Sequence, residues 1–324
     1  MSERGVAIVL AISLGALLAG CAGSREPTLS GGDPESVTMT SETLISPASS
    51  SATSASRTPS TSVPSSSRPA PSASPIAPPP APPVTAATPA PAWLGTRALG
   101  PAGGGPVPPQ VTPAELVDRR IITRDLLPRP ADLTFRPQVV AVPDDVLARS
   151  TWQPACPVAV ADLRYVTVQF WGFDEVLHTG ELLLNADAVD AVVAAFAAMH
   201  AERFPLEEVR VIRADELDVP PTGDGNVTSA FVCRPVTGGT RWSDHAYGRA
   251  IDVNPFHNPY EKGTGSERVV IPELSTAYTD RNRRLPGMIT SDSAVAVAFA
   301  NAGWGWGGDY RTLKDFQHFS ASGG

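Results

Sequence analysis

Between residue 22 and about residue 92 the chain is built almost wholly from Ser, Thr, Pro and Ala, as in SATSASRTPSTSVPSSSRPAPSASPIAPPPAPP. Ordering a backbone costs roughly 1–2 kcal/mol per residue, and a run with so few large apolar side chains buries too little surface to offset that cost. We therefore expect residues 22–112 to form a disordered tether. From residue 113 aromatic and β-branched residues return, and residues 113–324 are expected to be the folded body. About 210 residues are enough for one well-filled core.

Ahead of the tether lies VAIVLAISLGALLAGC, an apolar run too short to span a bilayer comfortably. It ends in Leu18-Ala19-Gly20-Cys21, which looks like a bacterial lipobox. Residues 1–21 are accordingly expected to be a lipoprotein signal peptide. Cys21 would be lipidated and anchor the chain to the outer face of the cytoplasmic membrane. A tether of about 90 residues has an r.m.s. span of about 50 Å, so the body could reach well into a cell wall. A net charge of −8 offers no basic surface on which nucleic-acid binding could be argued. Of the three cysteines, Cys156 and Cys233 remain once Cys21 is set aside. In an oxidising compartment such an even pair is expected to form a disulfide. Cys233 as a nucleophile has no histidine at suggestive spacing.

Period-two alternation in LRYVTVQFWG (163–172) puts Val166, Val168 and Phe170 on one face of a strand. EVLHTGELLLN follows, and Thr179-Gly180 is expected to be a turn within an antiparallel hairpin. Residues 185–204 carry Val189, Val192, Val193, Phe196 and Met199 at helical spacing, with Asn185 or Asp187 as the cap. Short strands are predicted in EVRVIRA, TSAFVCR, GRAIDVN and FQHFS, and a second helix at 290–303, capped by Ser291 or Asp292 and stopped by Gly303. The sum is an α+β domain, a small and mostly antiparallel sheet with helices packed on it.

The chain has five histidines. His178, beside the expected turn, and His200, late in the helix, read as structural or solvated. His257, in the proline-bounded NPFHNP, is an unsupported candidate ligand. His245 and His318 each have a carboxylate nearby. Gly248 lies between His245 and Asp252 and offers a turn that could fold one back on the other. The strand that follows would bury Ile251 and Val253 and point Asp252 out of the core. Asp315 and His318 are three apart, so they meet one site only if Asp315 lies in a turn before the strand. Two imidazoles and a carboxylate with an open fourth position make a catalytic zinc arrangement, and a further carboxylate nearby makes a general base. On spacing alone His245 and Asp252 are equally a metal pair, an acid/base pair or a buried polar contact. H-E-x-x-H, C-x-x-C and G-x-S-x-G are all absent from the sequence.

NVTSAFVCRPVTGGTRWSDHAYGRAIDVNPFHNPY and GWGWGGDYRTLKDFQHFS together resemble the D-alanyl-D-alanine carboxypeptidase family, zinc peptidases of the VanY/VanX and endolysin type. The family pattern S-x-H-x-x-G-x-A-x-D is met by Ser243, His245, Gly248, Ala250 and Asp252. Its later W-G-G-D…D-x-x-H-F is met from Trp306 to Phe319, and looser similarity extends over roughly 156–320. The resemblance implies a hedgehog/DD-peptidase-like fold and one zinc ion held by His245, Asp252 and His318. It makes Asp315 the catalytic base, Arg234 the substrate-binding and charge-stabilising cation, and Ser243 a lining residue. The implied substrate is a peptidoglycan stem peptide, from which a carboxypeptidase would trim D-Ala. Carboxypeptidase members typically carry glutamate where Asp315 stands and endolysin-like members aspartate, so an L-Ala-D-Glu endopeptidase is the first alternative. A non-catalytic cell-wall-binding lipoprotein is the second.

Overall fold

The computed structural model describes residues 86–100, 107–236 and 239–323; Cys21, the signal segment and most of the expected tether lie outside the described residues. The first sheet has strand β1 (Gln138–Val140) paired with β2 (Leu163–Trp171), separated in sequence by helix α1 (Asp144–Arg149), and β2 paired with β3 (Leu177–Asn185). All of its pairings are antiparallel. The predicted hairpin is present, but its turn is Gly172–Val176, closed by the Gly172 N–H on the Val176 carbonyl at 2.9 Å. Thr179 and Gly180 lie inside β3, opposite Gln169 and Val168. Gly180 serves packing rather than turning, since a Cβ there would lie 2.5 Å from Cβ of Val209.

Asn185 ends β3 and caps the following turn, its side chain accepting the Asp187 N–H, and helix α2 (Val189–Ala201) runs on from there. Strands β4 (Glu208–Val209) and β5 (Val227–Thr228) form a short parallel pair. Strand β6 (Ala250–Asp252) precedes an outer pair, β7 (Tyr260–Lys262) and β8 (Val269–Ile271). Helix α3 (Ala294–Asn301) starts after Ser293, short of the predicted Ser291 or Asp292 cap, and ends before Gly303 at φ 78°. The last strands are β9 (Gly305–Trp306), β10 (Leu313–Asp315) and β11 (His318–Ser320). Strand β11 lies between β6 and β9, while β10 edges the β7–β8 pair. The domain is thus α+β, with small and mainly antiparallel sheets. The strands predicted across EVRVIRA, TSAFVCR and GRAIDVN shrink to two or three residues because nearby backbone groups bond outside any ladder, as Val232 N–H does to the His245 carbonyl.

Alternation along the hairpin buries both of its faces. Val166, Val168, Phe170, Leu182 and Leu184 pack against Val192, Phe196 and Met199 of α2, Phe299 of α3, and Ile251 and Phe319 of the β6–β11 pair. Leu163 and Leu183 face Val146, Phe231 and Cys233 instead. Cys233 is disulfide-bonded to Cys156, as expected. The cross-link closes 77 residues of chain, stabilising by about 4 kcal/mol in the chain-entropy picture. A third cluster, with Leu116, Phe256, Leu274 and Tyr278, is covered by Trp93, Leu94 and Leu99.

That cover moves the expected domain boundary. Thr88 bridges to Ile121, the Leu99 N–H bonds the Pro221 carbonyl at 2.8 Å, and Gln110 N–H bonds the Glu273 carbonyl at 2.9 Å. Packed structure therefore begins ahead of residue 113. Proline-rich composition hid a few large apolar side chains that find a partner surface only in the fold. Among the described residues no helix is long and apolar enough to cross a membrane.

Candidate metal centre

His245 sits in a 3₁₀ turn, Asp244–Tyr247, capped by Ser243, whose hydroxyl accepts the His245 N–H at 3.4 Å. Gly248 ends the turn at φ 68°, a left-handed conformation that costs glycine least. A Cβ there would also lie 2.5 Å from the Asn185 nitrogen, so chain reversal and close packing on β3 converge on one residue. Strand β6 follows, with Ile251 and Val253 buried and Asp252 on the opposite, partly open side. Across the ladder Asp252 is the register partner of His318, the first residue of β11.

Three donor atoms converge there. His245 Nε2 lies 3.2 Å from His318 Nδ1 and 3.2 Å from Asp252 Oδ1, and His318 Nδ1 lies 3.0 Å from Asp252 Oδ1. A tetrahedral ion with bonds of 2.0–2.1 Å sets its ligand atoms about 3.3 Å apart, so the triangle suits such an ion. His245 Nδ1 lies 2.6 Å from the Ala230 carbonyl, which can only accept. Nδ1 therefore carries the proton, and the Nε2 lone pair faces the other two donors, the arrangement by which backbone carbonyls orient metal-binding histidines. Among the described residues no other cluster of three or more His, Cys, Asp or Glu is suited to an ion.

Electrostatics separate the two aspartates. Burial opposes charge on Asp252, but the neighbouring imidazoles, His245 first and then His318, outweigh it and hold the carboxyl below its ordinary range. For His318, burial is likewise outweighed by the hydrogen bond to Asp252, and the imidazole is shifted upward. Asp315 has no such cation in contact. Burial, reinforced by the charge of Asp252, pushes it up to about 6.

The three-residue spacing required a turn at Asp315 for it to share a site with His318; Asp315 is instead the last residue of β10, in a different sheet from His318. The Phe316–Gln317 corner joins the two strands and leaves Asp315 near enough to Asp252 and His318 to interact with their charges. Several contacts fix this corner. The Trp306 indole N–H donates to the Phe316 carbonyl at 2.9 Å, and the Val253 N–H donates to the Gln317 carbonyl at 3.0 Å. Arg281 stacks over the Phe316 ring at 4.4 Å. Gly307 passes so close that a Cβ would sit 2.3 Å from the Asp315 carbonyl oxygen. The Gly-Trp-Gly-Gly run thus supports the corner.

Arg234 adjoins the centre through its backbone, its carbonyl accepting the Ser243 N–H at 3.2 Å. The residue is half-buried, and its guanidinium donates to the Pro235 carbonyl at 3.1 Å on the exposed side. Ser243 is buried, and its hydroxyl serves as the turn cap. The remaining histidines stand elsewhere. His178, expected to be structural or solvated, is buried between Asp125 and Asp174, two residues beyond the end of the observed turn. His200 is half-buried against Phe135 and Trp171. His257 is not a ligand: it is fully buried, Nε2–H donating to the Arg119 carbonyl at 2.9 Å and Nδ1 accepting from Asn226 at 3.1 Å. Sequence reasoning missed two contributors. The Ala230 carbonyl carries no side-chain signal, and the amide of Gln317, 3.1 Å from Asp315 Oδ1, gains meaning only once the corner is known.

Residues 237–321 match the family described as D-alanyl-D-alanine carboxypeptidase. The span contains His245, Asp252, Asp315 and His318 and begins just after Arg234. It agrees with the resemblance read from the two motifs. No curated protein and no solved structure matches the chain.

Proposed function

We propose that the domain is a zinc-dependent peptidase of peptidoglycan stem peptides, a carboxypeptidase that removes a terminal D-Ala. The observation that carries this reading is the triangle of His245 Nε2, Asp252 Oδ1 and His318 Nδ1, with edges of 3.0–3.2 Å, in the part of the chain that matches the peptidase family. His245, Asp252 and His318 would hold the ion. Zinc so bound supplies a water acidified toward a pKa of about 7 and polarises the scissile carbonyl.

The protein's own residues supply the rest. Asp315, shifted up to about 6, accepts a proton at neutral pH without holding it too tightly to pass to the leaving amine. The Ala230 carbonyl and the His318–Asp252 register keep the imidazoles in the orientation that directs their lone pairs inward. Arg234 is assigned to the substrate carbonyl oxygen by resemblance, and the Cys156–Cys233 disulfide braces its segment. The hedgehog/DD-peptidase type of fold belongs to the same reading, as does a lipid anchor at Cys21 that holds the domain at the outer face of the cytoplasmic membrane. An L-Ala-D-Glu endopeptidase is the second reading, favoured by one observation: aspartate, not glutamate, stands at position 315.

Defined muropeptides incubated with the zinc-loaded and metal-stripped domain test both, with products identified by mass spectrometry. Zinc-dependent loss of one D-Ala supports the carboxypeptidase, and cleavage after L-Ala supports the endopeptidase. Absence of any zinc-dependent product replaces both with a binding protein. Asp315→Asn should keep zinc and lose activity by orders of magnitude; full activity in that variant would remove Asp315 from the role of base.

A further inference from the structure

The Asp315 carboxylate has two oxygens, and the structure treats them differently. Gln317 Nε2 donates to Oδ1 at 3.1 Å. We propose that Gln317 is the positioning residue of the base: its amide pins Oδ1, fixes the carboxylate plane, and leaves Oδ2 as the oxygen that takes the proton. The proposal rests on the peptidase reading above.

Three observations carry it. Gln317 is 8 % exposed, so its amide is held away from competing water. Its backbone cannot drift, because its carbonyl accepts from Val253 N–H and the preceding residue is gripped by the Trp306 indole, the Pro259 carbonyl and Arg281. The geometry also determines which end of the amide faces Asp315. An ionised carboxylate only accepts, so the NH₂ end must point to it. The same contact favours the charged form of Asp315, against the burial that opposes it. A base that must stand ready at one oxygen needs such a partner, in the way metal-ligating groups need theirs.

Gln317→Met keeps the side-chain length and removes the donor. With a D-alanyl-D-alanine-terminated muropeptide as probe, kcat should fall about ten-fold with KM little changed, and the acid limb of kcat/KM should move to higher pH. Zinc stoichiometry, measured by competition with a chromophoric chelator, should stay at the wild-type value. Gln317→Glu, close in shape but presenting an acceptor to an acceptor, should lower kcat further and move the acid limb further up. It serves as the second variant should the methionine protein melt early. Wild-type kcat and an unmoved acid limb in either folded variant, alongside an inactive Asp315→Asn, would overturn the positioning role and leave the peptidase intact. A wild-type protein inert on this probe and on the L-Ala-D-Glu bond would overturn the peptidase reading, and this role with it.

Discussion

At the scale of single residues, histidines in this chain divide by what faces each ring nitrogen. His245 has a carbonyl behind it and two donor atoms in front, which suits an ion. His257 has a carbonyl on one nitrogen and an amide N–H on the other, which suits the neutral ring and nothing else. Burial pushes His257 down to about 3, against an ordinary value near 6.5. Its neutral form is the folded form. The unfolded chain therefore binds the extra proton between those values, and the stability His257 contributes is present above about pH 6.5 and lost as pH falls toward 3. Thermal melts from pH 7 to pH 4 should show a steeper decline in the wild type than in His257→Gln, whose amide can donate to Arg119 and accept from Asn226. Parallel declines would show that acid sensitivity arises elsewhere.

Among the elements, the short corner between β10 and β11 matters more than any helix. It converts a three-residue spacing, wrong for one face of a strand, into two side chains serving one region from two sheets. The Trp306–Gly308 segment backs that corner so closely that Gly307→Ala must displace backbone at Asp315. Overpacking of this kind costs about 1–3 kcal/mol. We expect the variant to remain folded with a lowered melting temperature. Its activity should drop far more than its stability, because the displaced atom belongs to the base and not to a ligand. A variant whose zinc affinity collapses while turnover per bound zinc is unchanged would contradict this division of labour. Much of the element pattern was legible beforehand. Val166, Val168 and Phe170 share a buried face and Asn185 caps its turn, since both follow from periodicity and local hydrogen bonding. The hairpin turn was misplaced because Thr-Gly is turn chemistry only when no neighbouring chain needs the space, and Val209 does.

For the whole molecule, the described N-terminal stretch is part of the body. Trp93, Leu94 and Leu99 cover the cluster around Leu116, Phe256 and Tyr278, and Asp224 accepts the Gly95 N–H at 2.8 Å. A chain begun at residue 113, the boundary that composition proposes, should lose about 3 kcal/mol or more of stability relative to one begun at residue 86. Differential scanning calorimetry of the two proteins decides this; equal melting temperatures would show that the cover contributes nothing.

Composition and periodicity determined that a Ser/Thr/Pro/Ala run precedes one α+β body, because both are local properties of the chain. Two motifs determined which residues to watch: His245, Asp252, Asp315 and His318. Only the tertiary structure decided that three of them form a triangle with edges near 3 Å while the fourth stands apart in another sheet. It alone supplied the Ala230 carbonyl and the Gln317 amide. The physical reason is that ladder register and corner geometry bring together groups 66 and 73 residues apart in sequence, and no spacing rule encodes a contact over that distance.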